Sequence, residues 1–196
     1  MDHKTRVAPT RNQEGDRWRK DARVIKTRAA LRSALISLLA RHDFPDITVA
    51  MIVEEANVGY ATFFRHFPDQ TALLTDIADA TISEFMTTMM PTLLSADRVQ
   101  VTRALVDFIA ERTALCRALL IGGGDVVRRD AMARAIAYGS SVPVIFDPDI
   151  PLDLAVTHAV NAIFSTVAWW LGPGRGMKRD TFAEMLERLA MAPVRS

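Results

Sequence analysis

Residues 48–67 read TVAMIVEEANVGYATFFRHF, two short helical periods with a turn between them. Thr48 has the hydroxyl that caps a helix N-terminus, and Val49, Ile52, Val53 and Ala56 recur at spacings of three and four, the mark of one buried helix face. Asn57 belongs to the few non-glycine residues that enter the left-handed region, where a tight helix stop needs it. Gly59 serves as the next N-cap. Tyr60–His66 then form a second short helix, with Phe63 and Phe67 four apart on its inner face and Pro68 closing it. Small Ala56 lets the two helices approach, while Val58 and Phe63 fill the angle. Two short helices joined this way form a helix-turn-helix, at about 47–66, which offers its second helix to a DNA major groove.

The flanks extend the helical pattern. From Ala22 to Arg41, Val24, Ile25, Ala29, Leu31, Leu35, Leu38 and Leu39 make an apolar stripe, with Arg23, Lys26, Arg28 and Arg32 largely off it. Pro45 disfavours helical geometry at Phe44 and breaks that helix. Asp69 caps a long fourth helix expected to stop near Pro91, and further runs span 98–120, 125–139, 151–171 and 179–191. The breakers between them are GGG at 122–124, VPVIFDPDIP at 142–151 and GPGRG at 172–176. The expected fold is all-α with about nine helices: a three-helix unit over 22–70, preceded by a flexible basic arm over 1–21 and followed by a larger helical unit over 71–196.

The net charge of +1 conceals an asymmetry. Residues 1–41 hold eleven Lys or Arg against four acids, whereas 71–196 hold twelve against fourteen. A basic front end ahead of a near-neutral body fits contact with a polyanion; a solubilising tail would have the same composition. Cys116 is alone and cannot form an internal disulfide, the first residues contain no apolar signal core, and the most apolar run, 154–171, is interrupted by Thr157, His158, Asn161, Ser165 and Thr166. These features read as a cytoplasmic chain with no membrane partner.

The run Thr48–Leu74 resembles the DNA-binding domain of the tetracycline-repressor (TetR) family of bacterial regulators. It matches that family's pattern at Thr48, Val49, Ile52, Ala56, Val58, Thr62, Phe63, His66, Phe67, Ala72, Leu73 and Leu74. The resemblance implies a homodimer paired through the last two helices, a palindromic double-stranded operator and release by a small-molecule effector, most often from repression. It places Tyr60, Ala61 and Thr62 toward base edges with Arg65 beside them. Thr48, Thr62, His66, Arg28 and the amide at Gly59 fall to the phosphates, contacts that set register without reading sequence. Four positions depart from the pattern. Phe64 stands where a phosphate-binding tyrosine is usual, Gln70 where a lysine is common, Asn57 for glycine and Gly59 for serine. Phe64 and Gln70 each forgo a bond to phosphate, for which the basic arm would compensate.

In the body, Phe85, Met89, Phe108, Met132, Phe164 and Trp169 are candidate walls of an apolar effector pocket, with Met86, Leu105 and Ile109 near them and His158, Asn161 and Tyr138 as polar anchors. Ala155, Ala159, Ala162, Ser165 and Ala168 suggest a flat stripe for dimer packing. Each pocket residue has ordinary core as its alternative. No cofactor or metal is expected, because no His or Cys spacing suggests zinc and GGGD at 122–125 lacks the Gly-Lys-Ser/Thr that completes a phosphate loop. A lone His66 without a nucleophile or carboxylate nearby does not make a catalytic set. Two other functions remain open at this point, a helical protein-interaction module with weakened DNA binding and an enzyme using the apolar cavity.

Overall fold

The computed structural model describes residues 11–93, 98–122, 124–141 and 147–191, which form nine α-helices and no strand. The first helix, α1, spans Arg11–Leu39 and so begins within the segment expected to be a flexible arm. Its buried face is shorter than the apolar pattern suggests. Leu31, Ala34, Leu35, Leu38 and Leu39 are buried, whereas Val24 and Ile25 stay 39% and 68% exposed, because the cluster that α1 joins starts only at Leu31.

Phe44–Asp46 form a single 3-10 turn that buries Phe44 and leads to buried Ile47. Helix α2, Val49–Glu55, starts at the Thr48 cap, whose hydroxyl accepts from the Met51 N–H at 3.3 Å. It buries Ile52 completely. Asn57 takes φ 51°, in the left-handed region, and the Val58 N–H returns to the Val53 carbonyl at 3.0 Å. That turn re-aims the chain so that Gly59, extended at φ −71°, caps α3, Tyr60–His66. Asp69 then caps α4, Gln70–Leu93, by accepting from the Ala72 N–H at 2.8 Å. Helix α4 continues two residues past Pro91, where a stop was expected.

The expected 98–120 run is divided. Helix α5, Arg98–Glu111, stops before Arg112, and α6, Thr113–Arg117, passes into a wide π-helical turn over Ala118–Gly122. Arg112 lies over the Phe108 ring at 4.0 Å and bonds Glu84 of α4 at 2.7 Å. Helices α7, Gly124–Ser141, and α8, Leu152–Leu171, complete the wall around the body, and α9, Arg179–Leu186, ends in a second wide turn over Glu187–Met191. Asp147 accepts from the Asp149 N–H at 2.9 Å, so this pair of carboxylates is a turn, as its proline-bearing context implies.

Two apolar cores result. One joins α1, α2, α3 and the first turns of α4 with α6 around Leu35, Ile52, Phe63 and Leu74. The other joins α5, α8 and α9, where Trp170 stacks on Phe182 at 4.2 Å. Of the small residues expected to form a pairing stripe on α8, Ala155 and Ala159 are buried inside the chain. The outward stripe keeps Ser165 of that set and adds Leu154, His158, Asn161 and Trp169. Among the described helices α8 alone has the length and apolar composition to cross a membrane, yet a third of it, 33%, is buried in the fold and its exposed side holds the polar residues just named.

Candidate nucleic-acid interface and ligand cavity

Helix α3 is held from beneath by aromatic packing. Phe63 is fully buried, its ring 6.1 Å from that of Phe67, which is 3% exposed. With those two side chains inward, helical periodicity turns the others out. Tyr60 is 56% and Phe64 47% exposed, and Ala61 and Arg65 are also exposed. Thr62 and His66 lie half-buried at the edge, and Gly59 and Thr48 are exposed at the two helix starts. Arg65 donates to the Thr62 hydroxyl at 2.8 Å, which lays its guanidinium along the same face. The expected contact residues on 59–66 therefore share one continuous surface.

Arg28 is half-buried and has a structural partner. It donates to Asp76 at 2.6 Å and lies 4.9 Å over the Phe67 ring, while Arg32 donates to the other Asp76 oxygen at 2.6 Å. Asp76 thereby locks α1 to α4 beside α3. Burial alone would raise the Asp76 carboxyl, but the hydrogen bonds from Arg32 and Arg28 outweigh it and hold the group below the usual carboxylate range. One turn later Asp79 pairs with Arg134 of α7, yet burial pushes its carboxyl up, with Asp130 and Asp76 adding to the rise.

Beyond these bridges lies a cavity of about 220 Å³, walled by α4, α5, α6, α7 and α8. Of the six residues expected to line it, Phe85, Phe108 and Phe164 do, and the first two meet edge to face at 5.0 Å. Met132 is half-buried on α7 but outside the lining. Trp169 is 43% exposed and faces the loop after α8, so close that a β-carbon at Gly174 would stand 2.6 Å from its ring. The side chain of Met89, like that of Met86, falls outside the described residues. The expected polar anchors His158, Asn161 and Tyr138 point outward.

Residues missed from the sequence line the cavity instead. On α8 these are Val156, Val160, Ile163 and Val167, whose spacing of three to four was a legible signal. Thr102, buried at 1% exposure, is one of three lining residues bearing a polar group, with Thr81 and Cys116; the Thr81 hydroxyl is already spent on the Ile77 carbonyl at 2.8 Å. Burial pushes the Cys116 thiol up to about 12, so it remains a neutral, weakly polar wall. Among the described residues no charged side chain lines the cavity. Among the described residues no group of three or more His, Cys, Asp or Glu is placed to hold a metal ion.

Comparison with known proteins finds the likeness strongest in the helix-turn-helix. Residues 31–77 match the model for bacterial regulatory proteins of the tetR family. The match covers the helix-turn-helix with its two bracing helices. A curated relative, the uncharacterized HTH-type transcriptional regulator YxbF of Bacillus subtilis (strain 168), is 33% identical over 67 residues; that alignment takes in 34% of this chain and 18% of the relative. The fold extends further. A TetR transcriptional regulator from Streptococcus agalactiae 2603V superposes with a TM-score of 0.62 at 20% identity, over 87% of this chain and 97% of its own. Thermus thermophilus FadR, a TetR-family repressor solved with lauroyl-CoA, superposes at 0.59 and 20% identity, over 84% and 93%. At such identities the likeness is one of fold, and this chain shares it across both units.

Proposed function

We propose that the chain is a homodimeric, ligand-responsive DNA-binding transcriptional regulator, acting as a repressor that leaves a palindromic operator when a small apolar effector fills its cavity. The observation that carries this reading is the outward face of α3, where Tyr60, Ala61, Phe64 and Arg65 are exposed on a short helix that Phe63 and Phe67 fasten to the core. Tyr60 offers a hydrogen bond and an apolar ring to base edges, and Ala61 an apolar contact to a thymine methyl. Thr48, Thr62, His66, the Gly59 amide and the unused donors of Arg28 meet phosphates. No enzymatic step is assigned to the cavity.

The cavity's uncharged lining supports an effector whose enclosed part is apolar. The lauroyl-CoA with which FadR was solved has such a part, its hydrocarbon chain. Dimerisation would use the outward stripe of α8, where Leu154 is 58% and Trp169 43% exposed, together with α9. A two-fold dimer presents its α3 helices about 34–36 Å apart to successive major grooves, so a small change in their separation prevents joint docking. The effector weakens binding only by the ratio of its affinities for the two states. The reading places the protein in the cytoplasm with its DNA.

A second reading, a protein-interaction module on the same fold, is favoured by the exposed aromatic pair Tyr60 and Phe64. Gel-shift titration with duplexes from the region upstream of its own gene separates the two. Retardation that survives excess nonspecific DNA supports a regulator; its failure at low salt sinks that reading.

A further inference from the structure

The apolar cavity occupies only one side of α6 and the wide turn that follows. Cys116, Leu119 and Leu120 face it, whereas Ala114, Arg117, Ala118 and Ile121 of the same segment border a different hollow, of about 470 Å³. The opposite wall of this cleft is the end of α1 and the loop into α2, including His42, Asp43 and Pro45, and Arg175 from the α8–α9 loop closes it. The cleft thus sits where the helix-turn-helix unit meets the body. Cavity and cleft share a partition one helix thick, made of the one segment in this region with π-helical turns, a geometry often found at functional sites.

Its chemistry differs from that of the cavity. Two guanidinium groups and an imidazole face a single carboxylate. Asp43 reaches Arg117 only at 3.6 Å, beyond hydrogen-bonding distance, and is 75% exposed, so the donors of Arg117 are not consumed. No ion pair engages Arg175 among the described residues. Beside these donors Ile121 leaves 49% of its surface open and Pro45 is exposed, an apolar shelf next to a cationic corner. Guanidinium groups offer paired N–H donors in the geometry that carboxylates accept.

We propose that this cleft is a second ligand site, which takes a small carboxylate with a flat apolar body. Arg117 and Arg175 hold the carboxylate, with His42 at its side, and the body covers Ile121 and Pro45. The occupant touches the loop leading to the Thr48 cap and shares α6 with the cavity. The site does not depend on the DNA-binding reading.

Titration calorimetry on the full chain with benzoate, its neutral isostere benzamide and inorganic phosphate tests the proposal. Benzoate is expected to bind about tenfold or more tightly than either comparator, and Arg117→Ala with Arg175→Ala to weaken it by about the same factor, the loss of a charge-assisted pair. Ala135→Phe, which fills the cavity, should leave benzoate binding within about twofold. Equal binding of benzamide, equal binding of phosphate, undiminished binding by the double variant, or loss of benzoate binding in Ala135→Phe would each overturn it. If Arg117→Ala does not fold, Arg175→Glu, on an exposed loop side chain, carries the same expectation and the same contradiction.

Discussion

The Tyr60 and Phe64 rings lie 5.2 Å apart and tilted by 58°, side by side on the outward face of α3. Phe64 also meets the edge of buried Phe63 at 5.3 Å, so its position is set by packing although its surface is open. Phe64→Tyr adds a hydroxyl to a ring already held in place. In fluorescence-anisotropy titrations it is expected to tighten binding about three- to tenfold, equally on operator and random duplex, as a phosphate contact does. Tyr60→Ala should cost more on the operator than on random DNA, by about 1–3 kcal/mol. A change confined to the operator for Phe64→Tyr would contradict its placement at the backbone.

Two carboxylates one turn apart on α4 should respond oppositely to neutralisation. Asp76 gains two arginine bonds and Asp79 is raised by burial. Asp76→Asn is expected to destabilise by about 1–2 kcal/mol after allowance for solvent screening. Because the folded-state pKa of Asp76 lies below its unfolded value, that contribution is complete above the unfolded value and disappears as pH falls through the folded one. Asp79 has the reverse sign. Its ionised form is disfavoured in the fold above its folded-state pKa, and acid relieves the cost. Asp79→Asn should therefore leave Tm unchanged or raise it at neutral pH, with the gain vanishing once the carboxyl is protonated in both states. Thermal melts of both variants from pH 3 to pH 8 check the pair.

Asn57 holds a left-handed backbone that branched side chains resist. Asn57→Gly should change stability by less than about 0.5 kcal/mol, and Asn57→Val should lose about 1–2 kcal/mol. Urea denaturation of each distinguishes a strained turn from an incidental one. A loss of the same size for glycine would mean that the asparagine side chain, and not the backbone, matters there.

Ala135 borders the cavity from α7. Ala135→Phe occupies its volume and is expected to abolish binding of an apolar dye such as Nile red and to weaken operator binding, as an effector filling the same space does. Loss of dye binding with operator affinity unchanged would separate the cavity from regulation.

Leu154 is 58% exposed at the start of the outward α8 stripe. Leu154→Glu places a charge where two copies are proposed to meet, and sedimentation equilibrium should show the dimer constant weakened by about 2 kcal/mol or more. An unchanged constant would move the interface elsewhere.

What could be read from the chain depended on how local each decision is. The Thr48 cap, the Asn57 turn and the inward pair Phe63 and Phe67 were all legible, since each is settled within one turn of helix. The early start of α1 was not, because its residues from Arg11 to Asp21 lack the apolar period that marks a packed helix. Trp169 and His158 were misplaced for a different reason. An apolar helix such as α8 has amphipathic residues on more than one side, and only tertiary packing selects Val156, Val160 and Ile163 for the cavity and leaves Trp169 out. The double role of Arg28 required knowing that Asp76, 48 residues away, would stand beside it.

The central claim is that α3 reads DNA as one of a symmetric pair, and selection of bound duplexes from a random library by the full-length chain tests it most directly. The account predicts enrichment of an inverted repeat with half-sites about one or two helical turns apart, and a shifted consensus in the half-site when Tyr60→Ala is selected in parallel. Recovery of no sequence above the input library at low salt would contradict it.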